Sequence, residues 1–527
     1  MNSREKLLSP EDSQALDAEA AASWGLDPFA LVEAAGRNCA RFFIEAYPDL
    51  FSSPLRVTAV AGGGNNGADA LVMLRSLIFM GKASPDSTAA ILSRPCSGER
   101  SPRTLAALAL EKMGVPLLLW EGAAVNSCRE RLSCSDLIID GIAGTGLKGP
   151  LEGAPEAMVG YINALPKGNV SKGKIPFVVS IDTPSGNSAS WKEGMPVLQA
   201  QATLGIEPLK EPLYRPALRR FAGNIIPVGE LFPAALTGSY GGAELFSWQT
   251  VRREIPRILP TAYKHERGVV EIRAGSPGFP GAARIAGRGA QAAGAGLVRL
   301  VVDEAVYPLL AASAGGVIVQ SAAADVALKG APFDSQRFVP DAVLLGPGWG
   351  KSPDRAAILE QAAVWEAEGT PLILDADAIA LAGDRRFHGR AILTPHPGEF
   401  AAYSGIPRER LLENPAPYIG ALARERGIVV LFKGHVTYIA CPQGRLGVVD
   451  GMAPVLAAGG SGDLLAGFCA ALAARTSRLG KYDGFICAAA AAALLTETAN
   501  APEIIRRFCD PLELADAAAR LAGDAWL

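Results

Sequence analysis

The stretch Leu55–Ala70, LRVTAVAGGGNNGADA, leads from an apolar strand through three glycines into a helix. Short β-rich runs alternate with longer helical patterns along almost the whole chain, which is typical of βαβ units with a parallel sheet. The alternation stops once, at the small and polar segment LTGSYGGAE of residues 236–244, and then resumes. The pattern predicts an α/β protein with one domain over residues 1–235, a linker over 236–245 and a second domain over 246–527.

Composition excludes several classes of protein. At ~150 residues per domain, 527 residues suffice for two to four domains, and 49% hydrophobic residues are typical of globular cores. The net charge of −3, from 50 basic and 53 acidic residues, argues against a nucleic-acid partner. No apolar run approaches the ~18 residues of a membrane span, and the N-terminus lacks the apolar core of a signal peptide, so we expect no membrane association.

The eight cysteines are scattered along the sequence without a CxxC pair. This spacing favours reduced thiols in the cytoplasm over a disulfide framework or a zinc site. With only four histidines, a His-rich metal centre is not expected. The alanine-rich region near the C-terminus offers helices that could pack between subunits, and we expect a homo-oligomer.

The glycine turn Gly62–Asp69 has the GxGxxG spacing of a phosphate-binding turn, in which backbone N–H groups and the positive end of a helix attract an anion. A dinucleotide site also requires an acidic residue at the end of the second strand. Here Asp86 precedes that strand, which ends at Ser93 and Arg94. The motif alone is therefore weak evidence, and an ordinary strand-to-helix turn explains it equally well.

Two further strands of the first half end in polar residues. One ends at Asp140 and continues into the glycine-rich segment Gly144–Pro150, and the other ends at Asp182 and continues into Thr183–Gly186. Open α/β sheets bind ligands at the carboxyl ends of their strands. The Asn, Asp and Ser oxygens expected there suit an alkali or alkaline-earth cation, although each aspartate alone is more often a helix cap or turn former.

The second half contains two glycine-rich turns. Residues 346–352, GPGWGKS, follow a predicted strand, but the P-loop spacing GxxxxGK[ST] would require glycine at Leu345, so we reject a P-loop. The segment Ala457–Asp463, AAGGSGD, opens a long helix whose N–H groups and dipole would attract an anion. Asp463 could accept a proton from a substrate hydroxyl as a phosphoryl group arrives, or it could be a simple helix cap.

Two strand ends of the second half add candidate binding residues. Lys433–Thr437, KGHVT, could reach a nucleotide phosphate, while the alternative is a solvated lysine at the end of a strand. His396 lies in TPHPGEF, where two prolines would fix its direction, although a lone histidine is more often a satisfied polar residue than a catalyst.

The first-half motifs GGGNNGAD, DGIAGTGLKGPL and SIDTPSG together resemble the NAD(P)HX epimerase family, the YjeF N-terminal domain, over about residues 10–230. The resemblance implies a Rossmann-like three-layer domain with a catalytic role for Asp182 and a K⁺ site at Asn66, Asp140 and Ser185. It implies that a hydrated nicotinamide binds at Asn65, Asn66, Gly67, Ala68, Asp69, Gly144, Thr145, Gly146, Leu147, Lys148, Gly149 and Pro150. The family usually has NNGGDG, where this chain has Ala68 and Ala70.

The second-half motifs GSPGFPGA, GPGWG, LDADA, LTPHPGEF, KGHVT and AAGGSGD resemble the NAD(P)HX dehydratase family, which has a ribokinase-like α/β fold, over about residues 246–527. The resemblance implies hydrate contacts at Ala282, Gly348, His396 and Asp463. It implies nucleotide contacts at Lys433, Gly434, His435, Val436, Thr437, Gly460, Ser461 and Gly462. The chain departs from the family at Phe279, where tyrosine is common, and at Ala458, where threonine is common.

These resemblances predict an enzyme that repairs NADH and NADPH after water has added across the nicotinamide double bond. The first half would interconvert the R and S hydrates, with Asp182 and a cation orienting the hydrate. The second half would phosphorylate the S hydroxyl from ADP or ATP, with Mg²⁺, and eliminate phosphate, with Asp463 as base. The alternatives are a ribokinase-like small-molecule kinase with a non-catalytic nucleotide-binding N-terminal domain, and a cation-dependent nucleotide sensor in the first half.

Overall fold

The chain folds into two compact units, residues 1–243 and residues 244–527. The computed structural model describes residues 5–96, 100–166, 175–323, 340–350 and 354–527. The predicted linker, residues 236–245, contains the boundary between the two units, and it includes the end of a short helix and a complete strand. Small residues there do not prevent regular structure.

The N-terminal unit is built from parallel strands and the helices that connect them. Its strands are β1 (Glu5–Leu7), β2 (Val57–Ala61), β3 (Thr88–Leu92), β4 (Leu117–Leu119), β5 (Leu137–Gly141), β6 (Phe177–Ile181), β7 (Ala202–Ile206) and β8 (Asn224–Val228). Its helices are Pro10–Trp24, Pro28–Ala46, Asn65–Phe79, Pro102–Lys112, Ala124–Ser133, Ala154–Ala164, Pro216–Arg219 and Ala234–Thr237. Seven strands pair in parallel in the order β4-β3-β2-β5-β6-β7-β8.

The strand order creates a crevice at one edge of this sheet. Strands β2, β5 and β6 are completely buried, as expected for a parallel sheet covered by helices on both faces. The chain runs outward from β2 to β4 on one side and from β5 to β8 on the other, so the order reverses between β2 and β5. In open α/β sheets a crevice forms at this reversal, beyond the carboxyl ends of the strands.

The C-terminal unit has a larger mixed sheet. Its strands are β9 (Ala243–Leu245), β10 (Val269–Arg273), β11 (Leu297–Val302), β12 (Ile318–Ser321), β13 (Ala342–Leu345), β14 (Leu372–Leu374), β15 (Ala391–Leu393), β16 (Val429–Phe432), β17 (Val436–Ala440) and β18 (Leu446–Asp450). Its helices are Trp248–Val251, Pro280–Ala292, Tyr307–Ala312, Asp354–Ala367, Asp377–Ala382, Pro397–Ser404, Arg408–Glu413, Ala416–Arg426, Ser461–Arg478, Gly484–Asn500 and Pro511–Trp526.

These strands follow the order β9-β18-β17-β16-β15-β14-β13-β10-β11-β12. Strands β10 to β16 pair in parallel, whereas β17 is antiparallel to both β16 and β18. The antiparallel hairpin was not predicted from the alternation of strands and helices. The order reverses between β13 and β10, which places the glycine turns after these two strands at the same edge.

Small residues let the helix Ser461–Arg478 pack very closely on its neighbours. A Cβ at Gly467 would lie 2.3 Å from the backbone oxygen of Ala286, and a Cβ at Gly289 would lie 2.7 Å from the backbone oxygen of Leu464. The helix Ser461–Arg478, which carries Asp463 in its first turn, is therefore held in one position by backbone contacts that any larger side chain would break.

The alanine-rich helix Gly484–Asn500 is buried within its own unit. Its residues from Gly484 to Leu495 are all buried, and the helix Pro511–Trp526 packs against the same core. The expectation that these alanines pack between subunits is wrong, because they contribute to the hydrophobic core of a single chain. Among the described residues, no helix is long and apolar enough to cross a membrane.

Candidate active sites

A cavity of about 680 Å³ lies at the carboxyl ends of β2, β5 and β6 in the N-terminal unit. Its wall includes many of the predicted hydrate contacts, namely Asn65, Asn66, Asp69, Gly144, Thr145, Gly146, Leu147 and Asp182. It also includes Asp17 from the helix Pro10–Trp24 and Lys210, which follows β7. Neither of these two residues was predicted. Lys210 could have been found by the rule that identified Asp140 and Asp182, because it also follows the end of a strand.

Asp182 is held in place by an ion pair and by its own backbone. Lys210 Nζ lies 2.8 Å from Asp182 Oδ1, both side chains are buried, and the same Nζ donates to the carbonyl oxygen of Ile206 at 2.7 Å. Asp182 has a φ of 62°, in the left-handed region that non-glycine residues rarely adopt. Strained backbone of this kind is concentrated at functional sites, where the surrounding structure fixes the direction of a side chain.

Two further carboxyl groups line this cavity, and neither forms an ion pair with a lysine or arginine among the residues that the structure describes. Asp69 is only 7% exposed, and its Oδ1 has no hydrogen-bond partner. Burial raises the pKa of Asp69 well above its usual range, and the charges of Asp182 and Asp17 add to this effect while Lys210 opposes it. Loss of surrounding water also raises the pKa of Asp17, with Lys210 opposing and Asp182 adding to the shift.

The predicted K⁺ ligands lie around the loop that follows β5. Asp140 is completely buried, and Ser180 Oγ, Ser185 N, Ser185 Oγ and Ile142 N all donate hydrogen bonds to its carboxyl oxygens, at 2.5–3.1 Å. Burial raises the pKa of Asp140, and these hydrogen bonds lower it. The side-chain atoms of Asp140 and Ser185 that could ligate a cation are oxygens, as an alkali cation requires.

Asn66 is the part of this group that lacks a partner. Its Nδ2 is buried and makes no hydrogen bond, and its side chain lies against Gly144. Because the two ends of an amide are interchangeable in shape, the orphaned end can equally be an oxygen that ligates a cation. Asn66 and its neighbours therefore fit a K⁺ ion, with Asn66, Asp140 and Ser185 as the residues that would hold it.

Other predicted contact residues of the N-terminal unit are packed in its interior or lie away from the cavity. Ala68 is completely buried, and a Cβ at Gly67 would lie 2.5 Å from the backbone oxygen of Gly62, so both positions need small residues. Lys148, Gly149 and Pro150 are not among the residues that line the cavity. The glycine turn and the β5 loop thus provide the wall of the cavity, but only part of each motif faces it.

In the C-terminal unit, the structure brings several predicted turns together at the edge of the sheet. Gly348 has a φ of 57°, and a Cβ on it would lie 2.8 Å from both Ala282 Cβ and the backbone oxygen of Phe279. Gly350 N donates to Asp377 Oδ2 at 2.8 Å. The motifs GSPGFPGA, GPGWG and LDADA therefore form one surface. Lys351 and Ser352, which completed the rejected P-loop, lie outside the described residues.

Asp463 lies beside a second lysine–aspartate ion pair. Lys433 Nζ is 2.7 Å from Asp375 Oδ1 and 3.8 Å from Glu399 Oε2, and Thr394 Oγ1 also donates to Asp375 Oδ1. Burial raises the pKa of Asp463 to about 6; the charges of Asp375 and Glu399 also raise it, and Lys433 lowers it. A carboxyl group with this pKa is mostly ionised near neutral pH and still basic enough to accept a proton.

Lys433 is part of the site and not a solvated surface lysine. Burial lowers its pKa, but the charges of Asp375, Glu399 and Asp463 outweigh burial and raise the pKa overall. The lysine is therefore a fixed cation among three carboxyl groups. Asp375 belongs to the LDADA motif, but the motif alone does not reveal its role, because its partner Lys433 is distant in the chain.

The glycine turn before Asp463 is open on one side. Gly460 has a φ of 94° and is the N-cap of the helix Ser461–Arg478. A Cβ at Gly462 would lie 3.3 Å from Lys433 Nζ, whereas a Cβ at Gly459 would meet no atom within 4 Å. The N–H groups of Gly462 and Asp463 belong to the first helical turn, where they have no partner inside the helix and can face an anion.

Several predicted contacts of this half have additional structural roles. His396 Nδ1 accepts hydrogen bonds from Gly398 N and Glu399 N at 3.0 and 3.2 Å, so His396 caps the helix Pro397–Ser404 while its ring stays exposed. Val436 is completely buried in β17, and the hydroxyl of Ser461 donates to Leu456 O and Ala458 O. Gly434 and His435 form the turn between β16 and β17, and Thr437 Oγ1 donates to Gly434 O at 3.3 Å.

Each unit thus has an open α/β sheet with a lysine–aspartate ion pair and a second carboxyl group near the carboxyl ends of its strands, the place where α/β enzymes bind their ligands. Residues 28–211 match the family described as YjeF-related protein N-terminus, and residues 270–519 match the family described as NAD(P)H-hydrate dehydratase.

Full-length relatives combine the two parts in the same way. The bifunctional NAD(P)H-hydrate repair enzyme Nnr of Moorella thermoacetica is 30% identical over 485 residues, covering 89% of this chain and 88% of the relative. The protein of the same name from Gloeobacter violaceus is 31% identical over 487 residues, covering 89% of both chains. An ADP/ATP-dependent NAD(P)H-hydrate dehydratase from Bacillus subtilis, crystallised with ATP and Mg²⁺, is 26% identical, covers 54% of this chain and 100% of that chain, and has a TM-score of 0.47.

The chain belongs to the family of bifunctional NAD(P)H-hydrate repair enzymes. The predicted resemblance, the bifunctional isomerase and lyase class, and the role in repair of hydrated nicotinamide cofactors are confirmed. The predicted α/β class is confirmed for both parts, because each has an open sheet whose strands alternate with helices along the chain.

Proposed function

We propose that the C-terminal domain, residues 246–527, transfers a phosphoryl group from ADP or ATP to the hydroxyl of the S hydrate. Asp463 accepts the hydroxyl proton as the oxygen bonds to phosphorus, and the N–H groups of the Gly460–Gly462 turn stabilise charge on the migrating group. The carbon–oxygen bond to phosphate then breaks, and the adjacent carbon loses a proton. These two changes restore the ring double bond.

The position of Asp463 is the observation that carries this proposal. Its carboxyl stands in the first turn of a helix, beside the open glycine turn and the fixed cation of Lys433. A base and an anion-binding turn are thereby adjacent, as phosphoryl transfer to a hydroxyl requires. Ala282, Gly348 and His396 are the proposed contacts of the hydrate, and Lys433–Thr437 and Gly460–Gly462 those of the nucleotide.

Mg²⁺ fits this site as an ion that arrives with the nucleotide. In the described parts of the chain, no group of three or more His, Cys, Asp or Glu side chains is arranged to hold a metal. Mg²⁺ usually takes one or two carboxylates together with phosphate oxygens and water. When bound, it would neutralise phosphate charge, with Asp463 and Glu399 as the neighbouring carboxyl groups.

The competing activity is a small-molecule kinase with a regulatory N-terminal domain. The two activities differ in the fate of the phosphorylated product, which a kinase releases and a dehydratase eliminates. We therefore incubate the protein with mixed hydrates, with and without ADP or ATP, and follow both the phosphorylated hydrate and the absorbance of dihydronicotinamide. Nucleotide-dependent recovery of dihydronicotinamide supports the dehydratase, and a stable phosphorylated product contradicts it.

We further propose that the N-terminal domain, residues 1–235, epimerises the R and S hydrates in the cavity that contains Asp182. Asn66, Asp140 and Ser185 would hold K⁺, which supplies a fixed positive charge that helps to orient the hydrate. Asn65–Asp69 and Gly144–Pro150 are the proposed substrate contacts. The competing role is a nucleotide sensor, which the changes at Ala68 and Ala70 motivate.

NMR of each purified epimer distinguishes these two roles of the N-terminal domain. An epimerase converts either epimer into a mixture, faster in K⁺ than in a salt of a much larger cation. A sensor binds the hydrate without exchanging the epimers. Binding without exchange would therefore contradict the epimerase proposal.

The cellular setting and the assembly of the protein are also proposals. All eight cysteines are free thiols, which supports a reducing compartment such as the cytoplasm. We propose a homo-oligomer, although the alanine-rich helix is not its interface. Light scattering at several protein concentrations measures the assembly, and a monomeric mass at all of them would contradict this expectation.

A further inference from the structure

The cavity of the N-terminal unit contains two carboxyl groups in opposite settings. Asp182 has a counter-ion, because Lys210 Nζ lies 2.8 Å from its Oδ1. Asp69 lines the same cavity, is 7% exposed, and has an Oδ1 without any hydrogen-bond partner. A cation beside a carboxyl favours its charged form, whereas burial without a partner favours its neutral form.

We propose that Asp182 is the base and Asp69 the acid of epimerisation, and that Lys210 is the positioning residue that separates their roles. The inference rests on the proposed epimerase function and assigns it a proton path. Two carboxyl groups whose surroundings favour opposite protonation states are a recurrent way to obtain an acid and a base from the same type of side chain.

The reaction that this pair supports is reversible opening of the hydrated ring. The hydroxyl gives its proton to Asp182, the carbon–oxygen bond becomes a carbonyl, and the bond from that carbon to the ring nitrogen breaks. The electron pair of the broken bond goes to nitrogen, which takes the proton of Asp69. Rotation about the neighbouring carbon–carbon bond presents the other face of the carbonyl.

Ring closure reverses every transfer. The nitrogen attacks the carbonyl carbon and returns its proton to Asp69, while Asp182 returns its proton to the oxygen. The enzyme ends in its original protonation state, and neither an oxidant nor a further reactant is consumed. A rigid Asp182 is required in both directions, and its ion pair and left-handed backbone provide this rigidity.

The charged and titratable groups around Asp69 support the assignment. Asp17, Asp182 and the thiol of Cys39 surround it, and Lys210 is the nearby cation. The pKa of Asp69 is raised well above its usual range by burial first and by the two other aspartates second. Asp17 shares the cavity wall and is partly shielded from water, but it is more exposed than Asp69, so Asp69 is the carboxyl better kept in its neutral form.

The first test replaces Asp69 by asparagine, which keeps the shape but cannot transfer a proton. Asp69→Asn is expected to lower kcat for epimer exchange by about 100-fold with little change in KM, because general acid catalysis typically contributes at least this factor. The infrared carbonyl band of a protonated carboxyl should also disappear. Wild-type kcat in this variant, or an unchanged infrared band, would overturn the assignment.

The second test separates Lys210 from a merely structural residue through kcat and KM. Lys210→Met should lower kcat for epimer exchange with little change in KM, because Asp182 loses the side chain that fixes its direction, and Lys210→Arg should recover most of the lost kcat. An unchanged kcat in Lys210→Met would overturn the role of Lys210. If Lys210→Met does not fold, failure of Lys210→Arg to retain kcat has the same meaning.

Controls separate this inference from the epimerase function itself. Asp49→Asn changes an exposed aspartate of the same unit and should leave exchange unchanged. Dehydratase activity of each full-length variant reports on the C-terminal unit. If the unchanged protein does not exchange epimers, the proposed function fails; if it does and Asp69→Asn is as active, only the acid–base assignment fails.

Discussion

Each of the two sites contains a lysine–aspartate ion pair and a further aspartate, and the further aspartate is buried to a different extent in each site. The N-terminal site has Lys210 paired with Asp182 at 2.8 Å, and the C-terminal site has Lys433 paired with Asp375 at 2.7 Å. Each has a further aspartate nearby. Asp69 is deeply buried with a strongly raised pKa, whereas Asp463 is partly exposed and has a pKa of about 6. If the proposed roles are correct, burial decides whether the second carboxyl donates or accepts a proton.

The strongest test of this comparison removes the proposed base of the C-terminal site. Asp463→Asn should lower kcat of the nucleotide-dependent dehydration by about 10²–10⁴-fold, because asparagine cannot accept the hydroxyl proton. Epimer exchange, which takes place in the other unit, should be unchanged. Recovery of dihydronicotinamide absorbance measures the first activity and NMR the second. Asp516→Asn, at an exposed position, is the matched control, and a fully active Asp463→Asn would contradict the role of Asp463.

The corresponding change in the N-terminal site is Asp182→Asn, with an expected loss of about 100-fold in epimer exchange. Asparagine tolerates a left-handed backbone better than most residues, so the φ of 62° is preserved and only the charge is lost. Dehydration of the pure S hydrate should proceed as before. Normal exchange in this variant, measured by NMR, would mean that the ion pair with Lys210 has no part in the reaction.

A smaller effect is expected when the cation of the C-terminal pair is removed. The dehydratase kcat/KM should fall as the pH drops through about 6, because Asp463 becomes protonated and can no longer accept a proton. Lys433 lowers the pKa of Asp463, so Lys433→Met should move this limb to higher pH and Lys433→Arg should keep it in place. A pH profile that does not move in Lys433→Met would show that the two groups are not coupled.

The smallest expected effect is steric. A Cβ in Gly462→Ala would lie 3.3 Å from Lys433 Nζ, the flexible end of a side chain that can shift by a few tenths of an ångström. The KM for the nucleotide should rise by less than about tenfold, which corresponds to ~1.4 kcal/mol. Gly459→Ala, where a Cβ meets no atom within 4 Å, should have a smaller effect, and the reverse order would contradict the placement of the nucleotide near Gly462.

The parts of the fold that depend on local pattern were predictable from the sequence. The buried parallel strands were visible as short apolar runs, and Asp140 and Asp182 were visible as polar residues at the ends of two of them. Asp463 was visible in the first turn of a helix that follows a glycine-rich turn. The rule that ligands bind at the carboxyl edge of an open sheet then placed them in two sites. The resemblance to two families added their proposed roles.

The missing parts depend on contacts between residues that are distant in the sequence. Lys210 and Asp375 acquire their roles from ion pairs that form only after the strands are in register. Asp17 belongs to a helix with many polar residues, which has no apolar periodicity that would mark it as the wall of a site. The hairpin of β16 and β17 was missed because the alternation of strands and helices predicts parallel neighbours only.

The contact of Gly460 with Pro511 has a consequence for synthesis of the protein. A Cβ at Gly460 would lie 2.8 Å from Pro511 Cγ, so the helix Pro511–Trp526 supports the turn that precedes Asp463. A growing chain lacks this support until Pro511 has been added, whereas residues 1–243 are made earlier. Because domains generally fold in the order of their synthesis, we expect the N-terminal unit to fold first and the turn before Asp463 to be fixed only after Pro511 has been made.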